Sequence, residues 1–231
     1  MPRLRSAAVA VVVAASLAAC TPGGSRTETS STPQVAPAAD GQGVRIADLP
    51  DPDWVTRVSE ASGVPERALR AYAGADLRVR AESDCAVGWN TLAGIGRIES
   101  RHGTIDGGRI GDDGRASPDI IGIALDGRRT ARIPDTDGGR LDGDQEWDRA
   151  VGPMQFIPQT WEIWAADGDG DGELDPQQID DAALAAARYL CHEREGLEDS
   201  TSWISAIRSY NDSADYQMKV AGAASEYGAF G

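Results

Sequence analysis

The chain has 231 residues, 41% hydrophobic and 26% charged, with a formal net charge of -15. That mix excludes a disordered or fibrous protein and bounds the fold to one domain of ordinary size with short extras. The acid excess excludes a general nucleic-acid binder, which needs clusters of Lys and Arg, and two His and three Cys are too few for a multi-zinc protein.

Arg3 and Arg5 precede Ala7 to Ala19, a small-apolar run of 13 residues broken only by Ser16. The run matches a signal-peptide core and falls short of the roughly 20 residues of a spanning helix. It ends in Leu17-Ala18-Ala19-Cys20, which resembles a bacterial lipobox. Residues 1–19 are therefore expected to be a lipoprotein signal, with Cys20 the lipidated first residue of the mature chain. An ordinary secretory signal with a chance Cys is the alternative. Thr21 to Gln42 is rich in Ser, Thr, Pro, Gly and Ala and has no apolar period, so residues 20–45 read as a tether and 46–231 as the folded domain. The expected location is the outside of the cell membrane, lipid-anchored, facing the wall or periplasmic space. Lys219 is the one lysine among many Arg, Ala and Gly, a bias of a high-GC bacterial genome. In an exported chain the remaining pair, Cys85 and Cys191, reads as a structural disulfide closing a loop of roughly 100 residues.

Helical signals dominate the body. Asp51-Pro52 starts a helix and Gly63 stops it. Val64-Pro65-Glu66 starts a second, with Leu69, Tyr72 and Ala73 on one face. Cys85 to Ser100 carries Trp89, Leu92, Ala93 and Gly96 at helical spacing and is ended by His102-Gly103. Pro158 to Ala166, Ile179 to His192 and Thr201 to Tyr210 follow, and Ser213 caps a last helix to about Tyr227. Between Thr104 and Asp148 lie repeated Asp-Gly turns, and Ile120 to Leu125 could be a strand.

Three constellations could carry chemistry. The first is Gly96-Arg97-Ile98-Glu99-Ser100-Arg101-His102-Gly103. A Glu on the last turn of an apolar helix is partly desolvated and sits at the negative end of the helix dipole, and both raise its pKa toward a general acid. The competing reading is an ion pair with Arg97 or Arg101. The second is Gly152-Pro153-Met154-Gln155-Phe156, a rigid turn offering an amide beside apolar surface, as a sugar ring requires; it could equally be a buried turn with Met154 and Phe156 in the core. The third is Asp167-Gly-Asp169-Gly-Asp171-Gly172-Glu173, which matches the start of an EF-hand-like calcium loop. Its twelfth position is Gln178 where the usual loop has Glu, which points to a structural ion rather than a calcium sensor. A solvated acidic loop is the plain alternative.

Their order, Ile98-Glu99-Ser100, then Gly152 to Phe156, then the acidic loop, then Ile207-Arg208-Ser209-Tyr210-Asn211, resembles the lytic murein transglycosylases, most of all their B branch. The resemblance spans about Trp54 to Tyr216. It implies a mainly α (α+β), lysozyme-like domain of the goose-type/SLT kind, with a small β-hairpin insertion and an EF-hand-like calcium loop. The implied substrate is peptidoglycan, cut between N-acetylmuramic acid and N-acetylglucosamine. Glu99 matches the family's single acid and base. It would protonate the leaving oxygen, then take the proton of the muramyl C6 hydroxyl, which attacks C1 in place of water to leave a 1,6-anhydro end. Ser100 matches the residue that follows the acid and could hydrogen-bond it. Met154, Gln155 and Phe156 match a substrate-lining motif, and Tyr210 and Asn211 the Tyr-Asn motif of the cleft. A longer form of the family's calcium loop implies Ca2+ held by Asp167, Asp169, Asp171, the Glu173 carbonyl and Asp181. The implied partners are glycan strands and, through Cys20, the membrane; a monomer is expected and no nucleic acid.

The resemblance leaves the contact to the substrate N-acetyl group unassigned, because Gln145-Glu146-Trp147-Asp148 stands where relatives carry a Ser. It also assigns no role to residues 104–145. Trp89, Trp161 and Trp164 are candidate sugar contacts, with core packing expected for at least two of them. Other functions stay open: a hydrolytic muramidase using Asp148 or Asp137 as second carboxylate, a silent wall-binding lipoprotein, or a calcium-regulated interaction module.

Overall fold

The computed structural model describes residues 44–83, 85–192 and 196–231. The expected signal peptide, Cys20 and all but the last two residues of the expected tether lie outside the described residues. Among the described residues no helix is long and apolar enough to cross a membrane.

Among the described residues seven α-helices carry the fold: α1 (Pro52–Ser62), α2 (Glu66–Ser83), α3 (Trp89–Ser100), α4 (Pro158–Trp164), α5 (Ile179–Cys191), α6 (Ser200–Tyr210) and α7 (Ala214–Gly228). Local chemistry sets their ends. Asp51 accepts from the Trp54 N–H, and Gly63 ends α1 with φ 74°. Asp199 caps α6 and Ser213 caps α7. Several expected boundaries shift, and α4 ends at Trp164 instead of Ala166. Residues 85–88 are not helical, so α3 begins at Trp89. Its left-handed C-cap is Arg101, one residue ahead of the expected stop at His102-Gly103.

The core lies where α2 packs on α5 and α3 on α7. Trp54 meets Trp89 edge to face at 5.5 Å. Gly94 lets α7 approach closely: a Cβ there would stand 3.1 Å from Val220 O and 3.2 Å from Ala224 N. Asn90 locks the contact by donating to Ala224 O. Cys85 and Cys191 are bonded, tying the strap before α3 to the end of α5.

The β structure among the described residues is two short antiparallel pairs. β1 (Arg109–Ile110) pairs with β2 (Ala116–Ser117), and β3 (Ile121–Ala124) with β4 (Arg149–Val151), Ile121 opposite Val151. The chain between β3 and β4 is held by Asp side chains capping backbone N–H groups. Asp135 accepts from residues 137–139, Asp137 from Arg140 and Leu141, and Asp144 from Glu146 and Trp147. The Asp-Gly repeats are thus turn chemistry.

Candidate active site

Glu99 sits on the last turn of α3, partly exposed. Burial by its apolar surroundings pushes its pKa from 4.5 up to about 7, and a hydrogen bond from Tyr216 pulls it back only in part. The Tyr216 hydroxyl donates to Glu99 Oε1 at 2.6 Å. Neither neighbouring Arg pairs with Glu99. Arg97 binds Glu226 at 2.8 Å and lies over the Tyr227 ring. The ion-pair reading of this motif is therefore overturned, and Glu99 is left as a carboxyl that holds its proton near neutral pH.

Ser100 does not bond Glu99, as the resemblance led one to expect. It is 1% exposed, and consecutive residues on a helix point to different faces. Its Oγ donates to Pro153 O at 2.6 Å and accepts from Gly103 N at 2.8 Å. Ser100 thus pins the end of α3 to the turn before α4 and touches no cleft.

That turn runs from Val151 to Phe156, closed by backbone bonds in both directions between these two residues. Gly152 has φ 77°, and a Cβ on it would meet Pro176 O at 1.8 Å, so only glycine fits. Gln155 takes the left-handed region at φ 51°, which turns its side chain outward while Met154 points into the core. Met154 is fully buried and is corrected from a substrate contact to a core residue. Phe156 is nearly buried, with one face on the cleft floor. Gln155 donates to Ala150 O and Gly152 O, so its amide is oriented by the turn that carries it.

Tyr210 ends α6. Its hydroxyl donates to Met154 O at 2.7 Å, and its ring meets Phe156 and Tyr189 at 6.0 and 5.8 Å. Burial raises its pKa well above the usual phenol value. Asn211 is exposed at the same mouth, its Oδ1 accepting from Ser213 N. Of the three candidate Trp residues, Trp89 and Trp161 are in the core, and Trp164 packs half-buried on Tyr189 and His192.

Two concavities meet at Glu99. One, of about 270 Å³, is lined by Gln155, Phe156, Tyr189, Tyr210 and Asn211. The other, of about 640 Å³, lies toward α7 and carries Arg97, Arg101, His102, Lys219 and Tyr227. Glu99 lines both and is the only carboxylate among the described lining residues. Glu99 is therefore open on both sides to part-apolar, part-polar surface that an extended ligand could follow.

The second carboxylates considered for a hydrolase lie elsewhere. Asp148 is fully buried and accepts from Thr136 N and Oγ1. Asp137 caps the backbone at Arg140 and Leu141.

In the acidic loop, carboxylate oxygens of Asp167, Asp169 and Asp181 lie within 4.8 Å of one another. Asp171 and Glu173 are exposed beside them and stand outside that cluster. Asp181 is 1% exposed and accepts from Gly168 N and Asp175 N, and among the described residues no basic side chain pairs with it. Burial, and then the charges of Asp169 and Asp167, push its pKa up to about 8. Gln178 reaches Asp169 Oδ2 through its Nε2 and caps α5 through Oε1.

Sequence reasoning missed Tyr216, the one side chain among the described residues that binds the acid. The cue was only its place at the start of α7, six residues beyond Tyr210.

Residues 139–225 match the family model described as Transglycosylase SLT domain. No curated protein and no solved structure matches the chain. The matched span takes in the turn at 152–156, the acidic loop, Tyr210, Asn211 and Tyr216, while Glu99 precedes it. A mostly helical fold with small two-stranded sheets is compatible with that match, which supports the SLT/lysozyme-like superfamily for this chain and transglycosylase action on peptidoglycan in general.

Proposed function

We propose that the protein is a lytic transglycosylase that cleaves the bond from N-acetylmuramic acid to N-acetylglucosamine, with Glu99 as its single acid and base. The observation that carries this reading is Glu99 itself: the one carboxyl among the described residues that line the cleft, raised to about 7 and held by Tyr216. A group with a pKa near neutral can both give and take a proton at working pH. It donates to the leaving glycosidic oxygen, and the C1–O bond breaks. The carboxylate so formed takes the proton of the C6 hydroxyl, whose oxygen bonds to C1. Glu99 returns to its protonated state and no water is consumed. A two-carboxylate hydrolase needs a partner about 5 to 9.5 Å from the acid across the sugar. Among the described residues the lining of this cleft offers none, which favours the intramolecular route.

Gln155, Phe156, Tyr210 and Asn211 are assigned to sugar binding, through the oriented amide and the aromatic floor. The acidic loop fits a structural Ca2+. Asp167, Asp169 and Asp181 would hold it, with Asp171 and the Glu173 carbonyl beside them. Bound there, the ion would offset most of the mutual repulsion of the three carboxylates and would stiffen the loop that leads into α5. Anchoring at the membrane through Cys20 and action on the adjacent wall belong to the same proposal.

The test is product analysis by mass spectrometry after incubating the purified protein with isolated peptidoglycan sacculi. Muropeptides ending in 1,6-anhydro-muramic acid are expected, and their absence with Glu99→Gln. Reducing ends, heavier by one water, would instead establish a hydrolase.

A further inference from the structure

Beyond Ser100 the chain runs through three left-handed residues in a row. Arg101, His102 and Gly103 have φ of 54°, 60° and 81°, and of these only the glycine adopts the region without steric cost. L-residues visit it singly, so a run of this kind persists because its surroundings hold it. Backbone bonds supply part of the hold. His102 N donates to Gly96 O at 2.9 Å, and Gly103 N to Ser100 Oγ at 2.8 Å.

The His102 side chain supplies the rest. The residue is 6% exposed, and its ring is gripped at both nitrogens by two other helices. Nδ1 stands 3.3 Å from the Tyr72 hydroxyl of α2, and Nε2 stands 3.0 Å from the Tyr227 hydroxyl of α7. Tyr72 has room there because residue 96 is glycine; a Cβ on it would collide with the Tyr72 hydroxyl. Burial, and then the charge of Arg97, push the His102 pKa from 6.5 down to about 4. The ring is therefore neutral near pH 7, with one nitrogen donating and the other accepting, and each hydroxyl supplies the complementary role. No step of the proposed reaction uses His102, yet it stands three residues after Glu99 on the same end of α3.

We propose that His102 is a positioning residue for Glu99, clamped between Tyr72 and Tyr227 so that the end of α3 holds the acid in its part-apolar surroundings. The proposal rests on the reading of Glu99 as the acid of the cleft. Loss of the clamp lets the end of α3 move and water reach the carboxyl, which lowers a pKa that burial had raised. That shift is opposite in sign to the one expected from loss of the Tyr216 bond. The titratable groups facing His102 among the described residues are Tyr72 of α2, Arg97 of α3 and Tyr227 of α7, with Glu226 paired to Arg97. Those facing Glu99 are Tyr216 of α7 and Tyr210 of α6.

The experiment measures the Glu99 pKa directly, by NMR of its carboxyl carbon in protein labelled at glutamate, beside kcat and KM on sacculi. Tyr72→Phe and Tyr227→Phe each delete one hydroxyl and keep the ring. His102→Gly eases the backbone but removes both hydrogen bonds. Each is expected to lower the Glu99 pKa by about one pH unit from about 7. Each should also lower kcat by about tenfold, with KM little changed, as a displaced acid requires. His102→Asn, which suits the left-handed backbone and keeps a polar group toward Tyr72, should recover part of both losses. Thr91→Val is the control. It removes the acceptor of the Trp203 Nε1–H at the other end of α3 and should lower the melting temperature while leaving the Glu99 pKa and kcat in place. A Glu99 pKa or a kcat unmoved in all three clamp variants overturns the proposal, as does an equal change in Thr91→Val. A wild-type protein without turnover whose Glu99 pKa still falls in the clamp variants would overturn the catalytic reading and leave the clamp standing.

Discussion

The Tyr216 hydroxyl reaches Glu99 Oε1 at 2.6 Å across a sequence separation of 117 residues. It holds one carboxyl oxygen and leaves the other to face the cleft. It also moderates the effect of burial, since a hydrogen bond to the carboxylate favours the charged form. Both effects suit the acid-then-base role proposed for Glu99.

Glu99→Gln is expected to lower turnover on sacculi by at least about a hundredfold, the usual scale of general acid–base catalysis. It also has a stability signature. The folded pKa of about 7 lies above the ordinary 4.5, so the folded state binds the proton more tightly between these values. Stability contributed by this group is complete below pH 4.5 and is lost as pH rises through about 7. Gln carries no such loss. Thermal melts should show the variant stabilised at pH 8, by about 2 kcal/mol for a partly exposed group, and no such gain at pH 4. Equal shifts at both pH values would mean that the carboxyl is fully hydrated.

Tyr216→Phe removes the one interaction that lowers the Glu99 pKa. The pKa should rise above about 7, and the alkaline limb of the pH–rate profile should move to higher pH with it. A fall in kcat of about tenfold accompanies the lost orientation. A profile that stays in place while kcat falls would reduce Tyr216 to a packing role.

Ser100→Ala and Met154→Ala separate core from cleft. Ser100 serves two backbone groups, Pro153 O and Gly103 N, and its loss should cost about 2 kcal/mol of stability. Met154 is fully buried, and truncation there should cost about 2 to 5 kcal/mol. Denaturant titration should register both as lost stability. A raised KM with an unchanged midpoint would return either residue to the substrate.

Calcium should raise the melting temperature of the protein, and a chelator should reverse the rise. Asp181→Asn removes the buried member of the three-carboxylate cluster and should abolish the response in scanning calorimetry. A wild-type melt indifferent to calcium would leave the loop as a solvated acidic turn.

The helices and their ends were legible because their causes are local. Asp51, Pro52, Gly63, Asp199 and Ser213 act within one turn of where they stand, and apolar spacing marks the faces of α2, α3 and α5. Glu99 was legible for the same reason, as a carboxyl at the end of an apolar helix. So was the pairing of Cys85 with Cys191, the only cysteines left after the expected export signal.

What only the tertiary structure decided depends on residues far apart in sequence. Gly94 and Asn90 bring α7 against α3, and that approach alone sets Tyr216 on Glu99. The same docking draws Arg97 away to Glu226 and frees the acid from its Arg neighbours. The left-handed turn at Gln155 decides that the amide faces out and Met154 faces in, which an unbroken run of motif residues does not reveal. The sequence by itself determined the helices and the acid; the packing of α3 against α7 decided which side chain would hold that acid and what would surround it.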